Sequence, residues 1–408
     1  MSFLRGNDLN DINGGITAPR GFSAGSAECG IKHVGRPDLT IIVSDRTASC
    51  AGMFTTNRIK GAPVLVSRRN VQNGAARAII ANSGNANTCN GEDGLSAAAA
   101  MTVETARLIG CDSSEVLVAS TGVIGRPFPI EKVVAGIPRA VAALSPDGGA
   151  LAARAIMTTD TVPKEISVEF DSGEVPIRIG AIAKGSGMIR PDMATMLCFI
   201  TTDADIEPSA LRKALRHAVS ASFNCITVDG DMSTNDTVVV LANGRAGNLT
   251  IKSRSRAFDV FTEALTEVCL RMAKALVRDG EGATKFITLR VSGAASKEEA
   301  RQVGMAIANS PLVKTAFYGN DPNWGRIICA AGYSGVAVDE SLITIAVNGV
   351  QLFDTGRVIP IDDAEMRKQL SGREIQVDVG LGMGQAESAI YSTDMSHDYI
   401  KINAEYTT

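Results

Sequence analysis

Two hydrophobic textures alternate along the chain. Short, nearly continuous apolar runs end in polar turns, and longer segments repeat their apolar positions at a period near 3.6. The runs at 76–84 (ARAIIANSG), 115–122 (EVLVASTG), 195–206 (TMLCFITTDADI) and 237–244 (TVVVLANG) predict strands. Those at 115, 195 and 237 are apolar without alternation, which predicts sheets covered on both faces. Two alternating runs about Asp171-Ser172-Gly173 predict a hairpin over 166–187. Helical period covers 95–110, ending at Gly110, and 209–223. The longest such stretch is 256–280, closed by Gly280. Residues 149–160 read as a helix that stops in a Thr-rich loop. Residues 129–144 are helical by period, with Pro138 predicted to bend or break the helix.

From 286 the texture changes. FITLRVSGAA reads as a strand, and SKEEARQVGMAIANS as a helix opened by Ser296 with Glu299 at the capping-box position. ITIAVNGVQLFDTG reads as a hairpin, followed by strands in EIQVDVGLG and SAIYSTD. The pattern predicts an α+β protein: a core over 1–285, a smaller α+β unit over 286–400, and a tail over 401–408.

Composition narrows the function classes. The 408 residues carry a formal net charge of −4, which gives no electrostatic footprint for nucleic acid. Aromatic residues make up only 4%, so the core must be built from Ala, Val, Ile and Leu. The start lacks the apolar segment of a secretory signal, and no apolar run approaches the roughly 18 residues of a membrane span. A cytoplasmic protein without membrane attachment is expected. The eight cysteines form no CxxC pair and read as reduced, mostly core-filling thiols.

Familiar sites are missing. GLGMGQ (380–385) is not a dinucleotide fingerprint, and there is no Walker A loop. DGDMSTND (229–236) lacks calcium-loop spacing and reads as an Asx-rich turn. His33, His217 and His397 have no ligand or triad spacing, and no GxSxG elbow is present. Acid/base chemistry must come from elsewhere.

The most informative stretch is KGSGMIRPDMATMLCFI (184–200). A glycine loop and Pro191 precede Ala194-Thr195 at the mouth of a buried strand. A Thr there is compatible with two readings, an ordinary strand residue or a site of chain self-cleavage. In the second, the hydroxyl attacks the preceding carbonyl and leaves Thr with a free α-amine.

This stretch resembles the KGxGMIxPxMATML signature of the glutamate/ornithine acetyltransferases, in which the Thr after Ala becomes a new N-terminus. The resemblance continues, in order, through DINGGITAPRGFSAGSAECGIK (11–32), MFTTNRIKGAPV (53–64), ANSGNANTCNG (81–91), STGVIG (120–125), IMTTDTVPK (156–164), TVDGDMSTNDT (227–237), RDGEGATKFI (278–287), YGNDPNWGRI (318–327) and the closing INAEYTT. One departure is visible: Asp192 stands where the pattern usually has Asn.

The resemblance implies an αββα layered sandwich, shared with a related group of self-cleaving aminopeptidases. It implies cleavage between Ala194 and Thr195 into pieces 1–194 and 195–408. Thr195 would be the nucleophile and, through its freed amine, the base. Thr121 and Gly122 would form the oxyanion hole, with Asn87 a weaker supporting candidate. Thr158, Lys184, Thr195, Glu281, Asn403 and Thr408 would bind substrate. The implied reaction is an acyltransferase step of arginine biosynthesis, moving acetyl from N2-acetyl-L-ornithine to L-glutamate. No metal or resident cofactor is implied, and acetyl-CoA serves some members as a donor. The two pieces are expected to assemble as an α2β2 heterotetramer. The alternatives are a hydrolase of the same fold, an amidohydrolase or aminopeptidase, and an inactive paralogue that serves as a binding or regulatory subunit.

Overall fold

The computed structural model describes residues 9–32, 34–173, 175–190 and 196–405. In the larger part the strands are β1 (Leu9–Asp11), β2 (Phe22–Ala27), β3 (Leu39–Phe54), β4 (Ala75–Asn85), β5 (Val116–Val123), β6 (Lys164–Asp171), β7 (Pro176–Lys184), β8 (Leu197–Thr202) and β9 (Thr237–Ala242). The helices between them are α1 (Ala62–Asn70), α2 (Gly91–Ile109), α3 (Ile130–Ala142), α4 (Gly149–Ala155), α5 (Pro208–Ala221) and α6 (Arg256–Arg278).

The strands join in the order β1-β6-β7-β8-β9-β3-β4-β5, with β2 on β3. Strand β3 makes the fold a sandwich. Its first part pairs with β2 and β4, its last six residues pair with β9, and its register on β4 shifts between Val43 and Ala48. The sheet therefore has two leaves. Alternate residues of each leaf point to different cores. Ile182, Leu197, Phe199, Val239 and Leu241 of one leaf meet Ile42, Ile79, Ala81, Leu117 and Ala119 of the other. The opposite faces carry Ala181, Cys198, Ile200, Val238 and Val240 onto α5 and α6, and Ile41, Ala78, Ile80, Val116 and Val118 onto α1, α2 and α3. The layers are αββα. Every residue of β8 and β9 is buried, which explains their unbroken apolar sequence.

Helix α3 runs through Pro138 rather than ending there. The proline removes one backbone hydrogen bond. Burial of Val133, Gly136, Ile137 and Ala140 along one stripe keeps the helix whole.

The second sheet contains β10 (Phe286–Ala294), β11 (Thr344–Val347), β12 (Val350–Asp354), β13 (Arg357–Val358), β14 (Glu374–Gly380) and β15 (Ala386–Thr393), in the order β13-β12-β11-β14-β10-β15. Helices α7 (Lys297–Ala308), α8 (Pro311–Tyr318), α9 (Trp324–Gly332), α10 (Asp363–Gln369) and α11 (His397–Glu405) accompany it. Ser296 caps α7 by accepting the Glu299 N–H at 3.2 Å. This sheet is tied to the sandwich by the Thr227 N–H to Tyr391 carbonyl bond (3.0 Å) and by Asp394, which accepts the N–H groups of Thr284 and Lys285 at 2.9 Å each. The Ser396 hydroxyl donates to the Gly282 carbonyl at 2.6 Å, which sets α11 beside the turn after α6.

Of the eight thiols, Cys50, Cys198, Cys225 and Cys269 are buried and Cys29 and Cys111 half-buried, whereas Cys89 and Cys329 are exposed. Core filling thus accounts for fewer of them than the sequence suggests. No described helix is long and apolar enough to cross a membrane.

Candidate active site

Strands β7 and β8 are antiparallel neighbours, with Lys184 opposite Leu197. The segment joining them carries the KGSGMIRPDMAT run. Ala194 and Thr195, the expected cleavage site and nucleophile, lie outside the described residues, as does Thr408. The parts of the segment on either side are tied down by named acceptors.

On the near side, the Gly185 N–H donates to Asp160 Oδ1 at 2.7 Å, and the Ser186 and Thr159 hydroxyls meet at 2.7 Å. The Ser186 carbonyl accepts the Glu281 N–H at 2.8 Å. Asp229 takes the N–H groups of Met188 and Ile189 at 2.6 and 2.9 Å. On the far side, Asp236 Oδ1 accepts the Met196 N–H at 3.1 Å. Asp229 and Asp236 open and close the DGDMSTND run, so this Asx-rich turn is a clamp on the segment.

The candidate binding groups converge here. Lys184, 3% exposed, ends β7. Burial pushes its pKa down, opposed chiefly by the Asp160 charge. For Asp160, burial alone would raise the pKa, but the Lys184 and Lys164 charges and the Gly185 N–H outweigh it and hold the carboxyl at about 2. Asp236 is driven the other way: burial lifts its pKa well above its ordinary value, and its Oδ2 has no hydrogen-bond partner among the described residues. The Thr158 N–H donates to Asp160 Oδ2 at 3.0 Å. Glu281 lies just past α6, and Asn403 on α11 donates to its Oε2 at 3.0 Å.

Gly187 makes room for Glu281. A Cβ on Gly187 would sit 2.5 Å from the Glu281 carboxyl carbon and 2.7 Å from Oε1. The obstructing group is the end of a flexible side chain, so Gly187→Ala is expected to displace the carboxylate at little cost in stability. Its predicted signature is a rise of about tenfold in KM with an unchanged melting temperature, read by steady-state kinetics and thermal unfolding.

Thr121 and Gly122 lie near the C-terminal end of β5, opposite Ser83 and Gly84 of β4. Asn235 joins this end to the clamp: its Nδ2 donates to the carbonyls of Ala86 (2.6 Å) and Ser120 (2.9 Å), and its Oδ1 accepts the Thr88 hydroxyl at 2.6 Å. Asn87 is spent differently. It has φ of 50°, its Nδ2 donates to the Gly94 carbonyl at 2.9 Å, and its Oδ1 accepts Asn90 Nδ2 at 3.1 Å. Its side chain holds the start of α2. His217 is exposed on α5, His397 contacts Tyr318 (Nδ1 to hydroxyl, 3.2 Å), and His33 lies outside the described residues.

A model of the ArgJ family matches residues 23–408. The chain belongs to the ArgJ family. It is 47% identical over 399 residues to the arginine biosynthesis bifunctional protein ArgJ of Symbiobacterium thermophilum, covering 97% of this chain and 99% of that protein. Against the protein of the same name from Thermosynechococcus vestitus it is 48% identical over 413 residues, covering 97% and 99%. The crystal structure of arginine biosynthesis bifunctional protein ArgJ from Bacillus halodurans matches at 42% identity with a TM-score of 0.50, covering 51% of this chain and 98% of that one.

Within this ArgJ-family chain, sequence reasoning passed over Asp160, Lys164, Asp229, Asn235 and Asp236. Only the Asx-rich turn was a signal, and it pointed to a turn rather than to what the turn grips.

Proposed function

We propose that the protein cleaves itself between Ala194 and Thr195 and then transfers acetyl from N2-acetyl-L-ornithine to L-glutamate in two steps. The Thr195 hydroxyl attacks the amide carbonyl, and its proton passes to the Thr195 amine. Collapse of the tetrahedral intermediate breaks the C–N bond, and the departing ornithine α-amine takes that proton. The glutamate α-amine then attacks the acetyl-Thr ester, releasing N-acetylglutamate and restoring the hydroxyl. Thr121 and Gly122 donate to the oxyanion in both steps. Lys184 faces the substrate carboxylate, and Glu281, braced by Asn403, faces its ammonium group. No resident cofactor is needed, and acetyl-CoA can replace acetylornithine as donor. The reaction belongs to arginine biosynthesis in the cytoplasm.

The observation that carries this reading is the convergence of Thr158, Lys184 and Glu281 on the tethered segment that bears Ala194-Thr195. The length of the Bacillus halodurans chain supports the cleavage: 98% of it is matched by about half of this one. The pieces are proposed to stay together and pair into an α2β2 heterotetramer. Strands β8 and β9 of the second piece lie between β7 and β3 of the first, so separation would break a six-residue ladder on each side.

The test is an assay of purified protein with acetylornithine, with and without glutamate. N-acetylglutamate is expected, with acetate release suppressed by glutamate; acetate formed equally fast in both would establish a hydrolase. Turnover is expected to rise with pH through about 7.7–8.0 as the Thr195 amine loses its proton. As the pH rises further, carboxylate binding is expected to be lost before the ordinary lysine value of about 10.4 is reached, because burial depresses Lys184 and it discharges early.

A further inference from the structure

Beside the site, two lysines and two aspartates are withdrawn from water, and acetyl transfer as proposed uses only Lys184. Lys164, 4% exposed, places Nζ 2.7 Å from Asp160 Oδ1 and 2.6 Å from Asp279 Oδ2. Asp279, at the end of α6, also accepts the N–H of Thr161 at 3.0 Å and the Thr161 hydroxyl. Asp160 completes its bonding with the N–H groups of Gly185 (2.7 Å) and Thr158 (3.0 Å).

Buried ion pairs seldom add stability beyond an apolar replacement of the same shape, because desolvation offsets the attraction. The geometry of this network suggests another use for it. It joins three points of the chain: Thr158, Gly185 next to Lys184, and Asp279 two residues before Glu281. Each point holds one of the proposed substrate-binding groups. The Lys164 charge is matched by Asp279, which leaves the Asp160 charge to answer Lys184.

We propose that Asp160 is a positioning residue which, through Lys164 and Asp279, fixes the spacing of Thr158, Lys184 and Glu281 and supplies the counter-charge for Lys184. The proposal rests on the acetyl-transfer reading of the site. Neither the resemblance nor the sequence pattern assigns Asp160, Lys164 or Asp279 a role. The charges that act on buried Lys184 are those of Asp160, Lys164, Glu281 and Asp236. Without Asp160 it loses its largest stabilising charge and discharges at lower pH.

Asp160→Asn keeps the shape and removes the charge. In the matured enzyme it is expected to raise KM for acetylornithine and glutamate about tenfold, with kcat changed less than about threefold. The alkaline loss of binding should move to lower pH. Asp160→Glu restores the charge, and should return that alkaline limb to its wild-type position. Wild-type KM and an unmoved limb in folded Asp160→Asn overturn the proposal, as does a limb that Asp160→Glu fails to restore. Should Asp160→Asn not mature, Thr161→Val carries the test, since it removes only the hydroxyl bond to Asp279. A rise in KM of about two- to threefold at constant kcat supports the network, and no change overturns it. Intact mass separates this proposal from the reading beneath it. An acetyl group on the 195–408 piece of Asp160→Asn shows that the chemistry survives and only binding has changed. If wild-type protein carries no such acetyl group, the acetyl-transfer reading itself fails.

Discussion

Thr195→Ala is expected to leave a single 408-residue chain and to lower acetyl transfer by at least about 10⁴-fold. Two losses coincide in this variant. No hydroxyl remains to attack the Ala194 carbonyl, so the chain stays intact. No free amine appears at position 195, so the base is absent along with the nucleophile. Thr195→Ser separates these effects, because a serine hydroxyl can still cleave and still form an ester. It should split into two pieces and retain partial activity. Denaturing electrophoresis and the coupled assay read both variants. If Thr195→Ala still splits after residue 194, the hydroxyl is not the cleaving group.

The second large effect is expected at the end of β5. Gly122 has φ of 129°, a region that L side chains rarely occupy, and a Cβ there would lie 2.6 Å from the Asn85 nitrogen. Gly122→Ala must strain its own backbone by about 1–3 kcal/mol and also push β5 away from β4. It should therefore lower the melting temperature and turnover together. Thr121→Val tests the chemistry with less disturbance, since valine keeps the shape of the buried side chain. Loss of an oxyanion donor predicts a fall in kcat of about 10²–10³-fold, equivalent to about 2.7–4 kcal/mol, with KM little changed. Thr121→Ser should recover most of it. A Thr121→Val enzyme with normal kcat would remove the hydroxyl from the oxyanion hole.

These two variants also mark how far sequence reasoning reaches. Strands β5, β8 and β9 are covered on both faces, and unbroken apolar runs announce them. Strand β3 is not announced, although it is the longest described strand and links the two leaves. Its middle reads Ser44-Asp45-Arg46-Thr47, and the last three are exposed where the strand passes from one set of partners to the other. Local period cannot reveal a strand that changes partners. In the site, Lys184 and Glu281 were found through motif resemblance, whereas Asp160, Asp229 and Asp236 were not. Their ligands include backbone N–H groups of Thr158, Gly185, Met188, Ile189 and Met196, and a backbone donor leaves no trace in residue identity. Lys164 and Asp279 pair across 115 positions, a distance at which no spacing rule operates.

In the proposed mechanism one peptide bond must break before the enzyme can work. Fully active protein, incubated with acetylornithine but no glutamate and quenched in acid, can be weighed intact and fragmented. Two chains are expected, the heavier beginning at Thr195 and carrying one acetyl group on that residue. Full activity in a sample that contains only the unbroken chain, or an acetyl group that never appears on Thr195, would contradict it.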